Sequence, residues 1–199
     1  MARAASFLAP ALAGYLFTYY NAKAADERKA RIERVNDQVR LLYGPLLAAV
    51  HAARAAHAAM VRGHSPDGSV AAFAAAARAD PAGPEGAAYR HWMREVLQPL
   101  NERAAAAIVG HVDLLEGAAV EPALLQFVAH VSAYRVCLKR WAEGALDEWS
   151  AVPYPETLPE YAEREFKRVK RRQAELLGIR RGGEKGAAAG PLLPLRAKL

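Results

Sequence analysis

One cysteine in 199 residues leaves no room for an intramolecular disulfide framework or a cysteine-rich metal site. Aromatic residues make up only 8% of the chain, and much of its 53% hydrophobic content is alanine, so the core is thin for its size. The 14 glycines and 12 prolines follow no collagen-like period and cluster at what read as turns. Alternation of apolar and polar residues over more than a few positions is missing, which argues against β-strands. Missing too are GxxxxGK[ST], GxGxxG after a strand, HExxH, GxSxG and CxxC. Nucleotide phosphate cradles, zincin sites and nucleophile elbows therefore lack their spacing. The length fits one domain with appendages.

Charge is divided unevenly. Residues 1–34 carry 6 basic and 3 acidic side chains, residues 35–158 carry 10 and 13, and residues 159–199 carry 11 and 5. A mildly acidic body with two basic ends points to an anionic surface touched by the ends.

From Ala4 to Ala22 run 19 residues without a charge. As a helix this segment would reach roughly 28 Å, about the thickness of a bilayer's hydrocarbon core. Tyr15, Tyr19 and Tyr20 gather at its end, where phenol rings suit the headgroup level, and Lys23, Arg28 and Lys29 follow. The expectation is a single-pass transmembrane anchor over residues 1–22. Two alternatives are a cleaved targeting segment ending near Ala22-Lys23-Ala24 and a buried helix of a soluble protein. For a span, the excess of basic residues after it places the body on the cytosolic, stromal or matrix side, and the lone Cys137 agrees with a reducing compartment.

The rest reads as helices. Ile32, Val35, Val39 and Leu42 form an apolar stripe that ends at a break or kink at Gly44-Pro45, and an alanine-rich helix follows over Leu46 to Arg62. A short helix over Val70 to Arg78 precedes the loop Asp80-Pro81-Ala82-Gly83-Pro84. Tyr89, Trp92, Met93, Val96, Leu97 and Leu100 share a face that continues past a kink at Pro99. Phe127, Val131, Tyr134, Leu138 and Trp141 repeat at intervals of four and three from Pro122 to a stop at Gly144. The last helix spans Pro159 to Leu177, ended by Gly178. The expected fold is all-α: an N-terminal single transmembrane helix, an antiparallel four- or five-helix bundle over 23–178, and a basic, disordered tail over 179–199.

Chemistry is sparse. The six histidines include no i,i+4 pair and no Glu-x-x-His motif, so no metal and no cofactor is expected. Cys137, between Val136 and Leu138, reads as a small buried hydrophobe. Asn36, Tyr43, Asn101 and His130 stand amid apolar faces and read as hydrogen-bonding groups of the core, with Asn101 beside Pro99 placed to serve a freed carbonyl. Arg164, Lys167, Arg168, Lys170, Arg171 and Arg172 form a basic run interleaved with acids. It reads first as a solvated helix face, then as a contact for anionic lipid, and last as a nucleic-acid footprint.

The segments Arg34-Val35-Asn36, Leu42-Tyr43-Gly44-Pro45-Leu46, Trp92…Glu95-Val96…Pro99-Leu100-Asn101, Asp113-Leu114-Leu115, Phe127-Val128-Ala129-His130-Val131…Tyr134 and Arg140-Trp141…Gly144 resemble a family of small, N-terminally membrane-anchored all-helical proteins of bacterial type. Phe166…Lys170-Arg171-Arg172-Gln173…Leu176-Leu177-Gly178 is similar too, so the likeness covers residues 32–178. It implies an anchored bundle and carries over no catalytic residue. The functional expectation is a non-catalytic, membrane-tethered interaction module, an accessory or assembly subunit with lipid and a protein of a membrane complex as its partners. The alternatives are a ligand-binding or enzymatic bundle with a cleft near His91, His111 and His130, and nucleic-acid binding through the basic C-terminal helix.

Overall fold

The computed structural model describes residues 5–117 and 119–179, and among these every regular element is helical. The helices are α1 (Ala5–Asp37), α2 (Gly44–His64), α3 (Val70–Ala79), α4 (Pro84–Trp92), α5 (Gln98–Gly110), α6 (Pro122–Ala142) and α7 (Leu158–Leu176). The all-α expectation holds. Readings that fall on residues 180–199, including the basic tail, lie outside the described residues.

Gly44-Pro45, where a break or kink was expected, does not end the helix, and neither does Pro99, where a kink was expected. Wide π-helical turns over Gln38–Tyr43 and Met93–Leu97 carry α1 into α2 and α4 into α5. In each, the residue before the proline bonds five residues back: the Gly44 amide to the Val39 carbonyl, and the Gln98 amide to the Met93 carbonyl. A proline supplies no amide and crowds the carbonyl four residues back. One extra residue in the turn relieves both problems, and the helix continues. Thus α1–α2 and α4–α5 are two uninterrupted rods.

The rods pack antiparallel. Arg34 Nη2 donates to the Asp113 carbonyl at 2.9 Å and Gln38 Nε2 to the Leu114 carbonyl at 2.8 Å, just beyond the end of α5. At the other end Met60 and Met93 share one apolar cluster. Helix α7 also runs opposite to the first rod: His51 meets Glu163 at 3.1 Å, Gln173 donates to Asn36 at 2.7 Å, and Arg28 donates to the Leu176 carbonyl at 3.0 Å. Helix α6 lies against α5, with Gln98 donating to the Val131 carbonyl at 3.0 Å. Gly144, at φ +93°, reverses the chain after α6, and the Ala145 amide closes on the Arg140 carbonyl at 3.0 Å. The connection then returns along α6, tied by Trp141 Nε1 to the Glu148 carbonyl at 2.8 Å and by Gln126 Nε2 to the Pro153 carbonyl at 3.2 Å.

The core divides in two. One cluster gathers Val35, Leu42, Tyr43, Leu46, Val50, Ile108, Leu124, Phe127, Val131, Leu158, Tyr161 and Val169. The other gathers Met60, Val61, Phe73, Met93, Leu97, Tyr134, Cys137 and Trp141. The stripes read from sequence supply most of both, and Cys137 is buried as expected. Two glutamines were not anticipated. Gln38 and Gln98, one at each π turn, are 1% and 2% exposed. Each donates to a backbone carbonyl and to a glutamate carboxylate, and each leaves its Oε1 without a partner.

The expected transmembrane span is corrected. No helix among the described residues is long and apolar enough to cross a membrane. Length is not the shortfall, since α1 has 33 residues. Apolarity is: Ser6, Pro10, Thr18, Asn21 and three tyrosines dilute the few leucines and phenylalanines of residues 5–22. Helix α1 continues through residue 22 into the bundle.

Truncating Phe127, which is fully buried, is expected to cost about 3–5 kcal/mol in F127A. Leu125 on the same helix is 58% exposed, and L125A should stay within about 0.5 kcal/mol of the parent chain. Urea unfolding followed by circular dichroism checks both.

Candidate functional site

Two features of the fold offer a site: a cleft in the bundle and an arm that leaves it. The cleft opens where the two core clusters part and has a volume of about 450 Å³. Ala53, Arg54 and His57 come to it from α2, Tyr89 from α4, and Met93 and Leu97 from the second π turn. Asn101 comes from α5 and His130 and Tyr134 from α6, and Tyr154, Glu156, Pro159 and Glu160 close it from the returning connection and α7. Ala53 brings only a methyl group to the wall, and the π turn sets both Met93 and Leu97 against it.

His130 is the best-defined polar group here. Its Nδ1 lies 2.7 Å from the Val152 carbonyl. A carbonyl can only accept, so Nδ1 carries the proton and Nε2 of the neutral ring is left as an acceptor. Tyr134 and Tyr154 set their rings edge-on to the imidazole at 4.9 and 5.5 Å. Burial lowers the pKa of His130 below the ordinary histidine value, against the smaller opposing pull of the Val152 carbonyl. Burial lowers His57 as well. The Tyr89 and Tyr134 hydroxyls lie 2.5 Å apart and share a hydrogen bond. One hydroxyl hydrogen is spent on that bond and the other is not. Burial raises Tyr89 far above the phenol range and pushes Tyr154 up to about 12, so both are neutral phenols.

Of the three histidines expected to share a cleft, only His130 lines it. His91 is exposed on α4, and His111 caps the end of α5. The histidine that joins His130 is His57, and nothing in the sequence marked it apart from the other five. Asn101 lines the cleft instead of serving a carbonyl freed by Pro99, because the π turn has already absorbed the proline. Among the described residues no group of three or more His, Cys, Asp or Glu side chains could hold a metal ion.

The arm is the first part of α1. Residues 12–31 are exposed throughout, a stretch of roughly 30 Å at 1.5 Å per residue. Leu12, Tyr15, Leu16 and Tyr19 recur at helical spacing on one face, with Tyr15 and Tyr19 stacked at 6.5 Å and Tyr20 edge-on to Tyr19 at 5.7 Å. Tyr15 is 68% and Phe17 71% exposed, Phe17 lying off this stripe. Gly14 and Thr18, whose hydroxyl donates to the Gly14 carbonyl at 2.9 Å, lie on the other side of the helix, where Phe17 also projects. Lys23, Arg28 and Lys29 follow at the base of the arm, all exposed.

The other basic run divides. Arg164 pairs with Glu165 at 3.2 Å, Lys167 with Glu163 at 3.1 Å, Arg168 with Glu165 at 2.7 Å and with Glu116, and Arg172 with Glu116 at 2.7 Å. Burial pushes the Glu116 carboxyl up, but hydrogen bonds from Arg168 and Gln38 and the charges of Arg168 and Arg172 outweigh it, holding the carboxyl below its usual range. Lys170 donates to Gln173 at 2.6 Å, and Arg171 is exposed. Since Arg28 binds the Leu176 carbonyl, this end of α7 lies at the base of the arm. Arg28 and the last turns of α7 thus form a basic collar at the base of the arm.

No family model matches the chain, and neither curated proteins nor solved structures give a match, so the likeness read from its segments remains one of pattern.

Because His57 and His130 resist protonation in the folded state, the unfolded chain takes up their protons first as pH falls below about 6.5. Their contribution to stability is complete above that pH and is lost below it. Tm should fall between pH 7.5 and 5.5, above the range where carboxylates titrate, and should fall less in H130Q and in H57Q. A Tm independent of pH over that interval would contradict the assignment.

Proposed function

We propose that this chain is a non-catalytic helical interaction module held at an anionic membrane surface by its N-terminal arm, serving a membrane complex as an accessory or assembly subunit. The observation that carries the reading is the arm itself: an exposed aromatic and leucine stripe on a helix that leaves the bundle through a basic collar. An exposed leucine and tyrosine stripe on a helix too weakly apolar to span favours lying in the interface over crossing the hydrocarbon. Leu12 and Leu16 reach the acyl boundary, and tyrosine hydroxyls stay at the headgroups. Lys23, Arg28, Lys29, Lys170 and Arg171 then face anionic lipid, where each unpaired cation is worth about 1 kcal/mol.

Nucleic acid is the weaker reading of the same charge. Four of the six cations in the C-terminal run are committed to carboxylates within the bundle, and an aromatic stripe on a projecting helix offers nothing to a phosphate backbone.

The full-length chain is expected to float with phosphatidylcholine vesicles containing 30% phosphatidylglycerol, and only weakly with phosphatidylcholine alone. The variant L12S/L16S, which removes both leucines of the stripe, should stay at the bottom of the gradient. Charge reversal in K23E/K29E should weaken partitioning by roughly thirtyfold or more at low salt, two sites at about 1 kcal/mol each. Flotation that ignores both variants, or none with anionic vesicles, would overturn the reading.

A further inference from the structure

We propose that the cleft between the two core clusters binds a small organic amine, its apolar body among Met93, Leu97 and the tyrosine rings and its protonated nitrogen among the acceptors of the cleft. This does not rest on the membrane reading, because the cleft lies in the bundle and the arm outside it.

The ligand class follows from charge and from the balance of donors and acceptors. Glu156 and Glu160 stand at the cleft against one cation, Arg54. Arg54 also lies within the field of Glu163, outside the lining. With both histidines neutral, the lining carries a net charge of −1, which disfavours a carboxylate or phosphate head and favours a cation. The acceptors are His130 Nε2, one nitrogen of neutral His57, the Asn101 carbonyl and two carboxylates. The donors are the Arg54 guanidinium, the Asn101 amide, the other His57 nitrogen, the Tyr154 hydroxyl and one hydroxyl hydrogen of the Tyr89–Tyr134 pair. The charged members decide between them: two carboxylates against one guanidinium, so the matching ligand brings N–H donors and a positive charge. Aromatic rings beside the cation add attraction through their faces. The volume of about 450 Å³ takes a ligand of one or two rings and is within the usual range for small-molecule sites.

Three matched probes test this: 2-(1-naphthyl)ethylamine, 1-naphthylacetate and neutral 1-ethylnaphthalene, titrated into the full chain at pH 7.5 and low salt by calorimetry. The amine is expected to bind at least tenfold more tightly than either of the others. In E156Q/E160Q, which changes two exposed side chains, its affinity should fall at least tenfold while Tm is kept. In A53L, which adds bulk to the wall, all three probes should lose binding. Failure of the amine to bind, equal binding of the carboxylate, or an amine affinity unchanged in E156Q/E160Q would each overturn the proposal. The Tm of each variant shows whether a loss of binding is a loss of fold.

Discussion

A proline inside a helix removes one amide and crowds the turn before it, and besides Pro10 near the start of α1 this protein carries one deep in each of its two longest rods, Pro45 and Pro99. The response at Pro45 and at Pro99 is the same: a π turn of one extra residue, closed by an amide bonding five residues back. The widened turn shifts the register of everything downstream by about 100°, since each residue of an α-helix advances by that angle. The inward face of α2 and of α5 is set by that shift. The two buried glutamines sit at these turns and tie each rod to its neighbour through a backbone carbonyl. A buried amide oxygen without a partner costs free energy, so the polar anchors at the turns are held at some expense to stability.

The same geometry divides the core. Large side chains gather around Phe127 and Leu46 on one side and around Met60 and Trp141 on the other. Between them, where α2 supplies Ala53, the helices enclose space that no side chain fills. His130 stands on this boundary, pinned by the carbonyl of the connection that returns along its helix. The cleft is thus a product of the alanine content noted in the composition and of the way the second π turn presents Met93 and Leu97.

Much of the helical layout was legible in the sequence because its signals are local. Of the four-and-three spacing from Phe127 to Trp141, Phe127, Val131, Tyr134 and Trp141 are buried and Leu138 partly so, and Gly144 and Gly178 end their helices at φ +93° and +70°. What the pattern missed depends on register. A proline was read as a break or kink, because the amide it lacks is a local fact, while the extra residue that accommodates it depends on packing. Gln38 and Gln98 were invisible to an apolar periodicity, being polar. His91 and His57 were indistinguishable without knowing which way each helix turns. The transmembrane reading counted absence of charge over Ala4 to Ala22 where apolarity was the relevant quantity, and the tyrosines, Asn21, Pro10, Ser6 and Thr18 made the difference.

The arm is the element whose exposure the rest of the fold does least to explain, since aromatic and leucine side chains on an isolated helix lose the apolar burial that stabilises the other helices. On the proposed function, a membrane interface would supply that burial. Spin labels attached in L16C and in R31C, each in a C137A background, test the claim by the accessibility of the nitroxide to oxygen and to a water-soluble nickel chelate. With anionic vesicles, the label at 16 should become oxygen-accessible and protected from nickel, and the label at 31 should stay open to nickel. Equal nickel accessibility at both positions, with and without vesicles, would contradict the account.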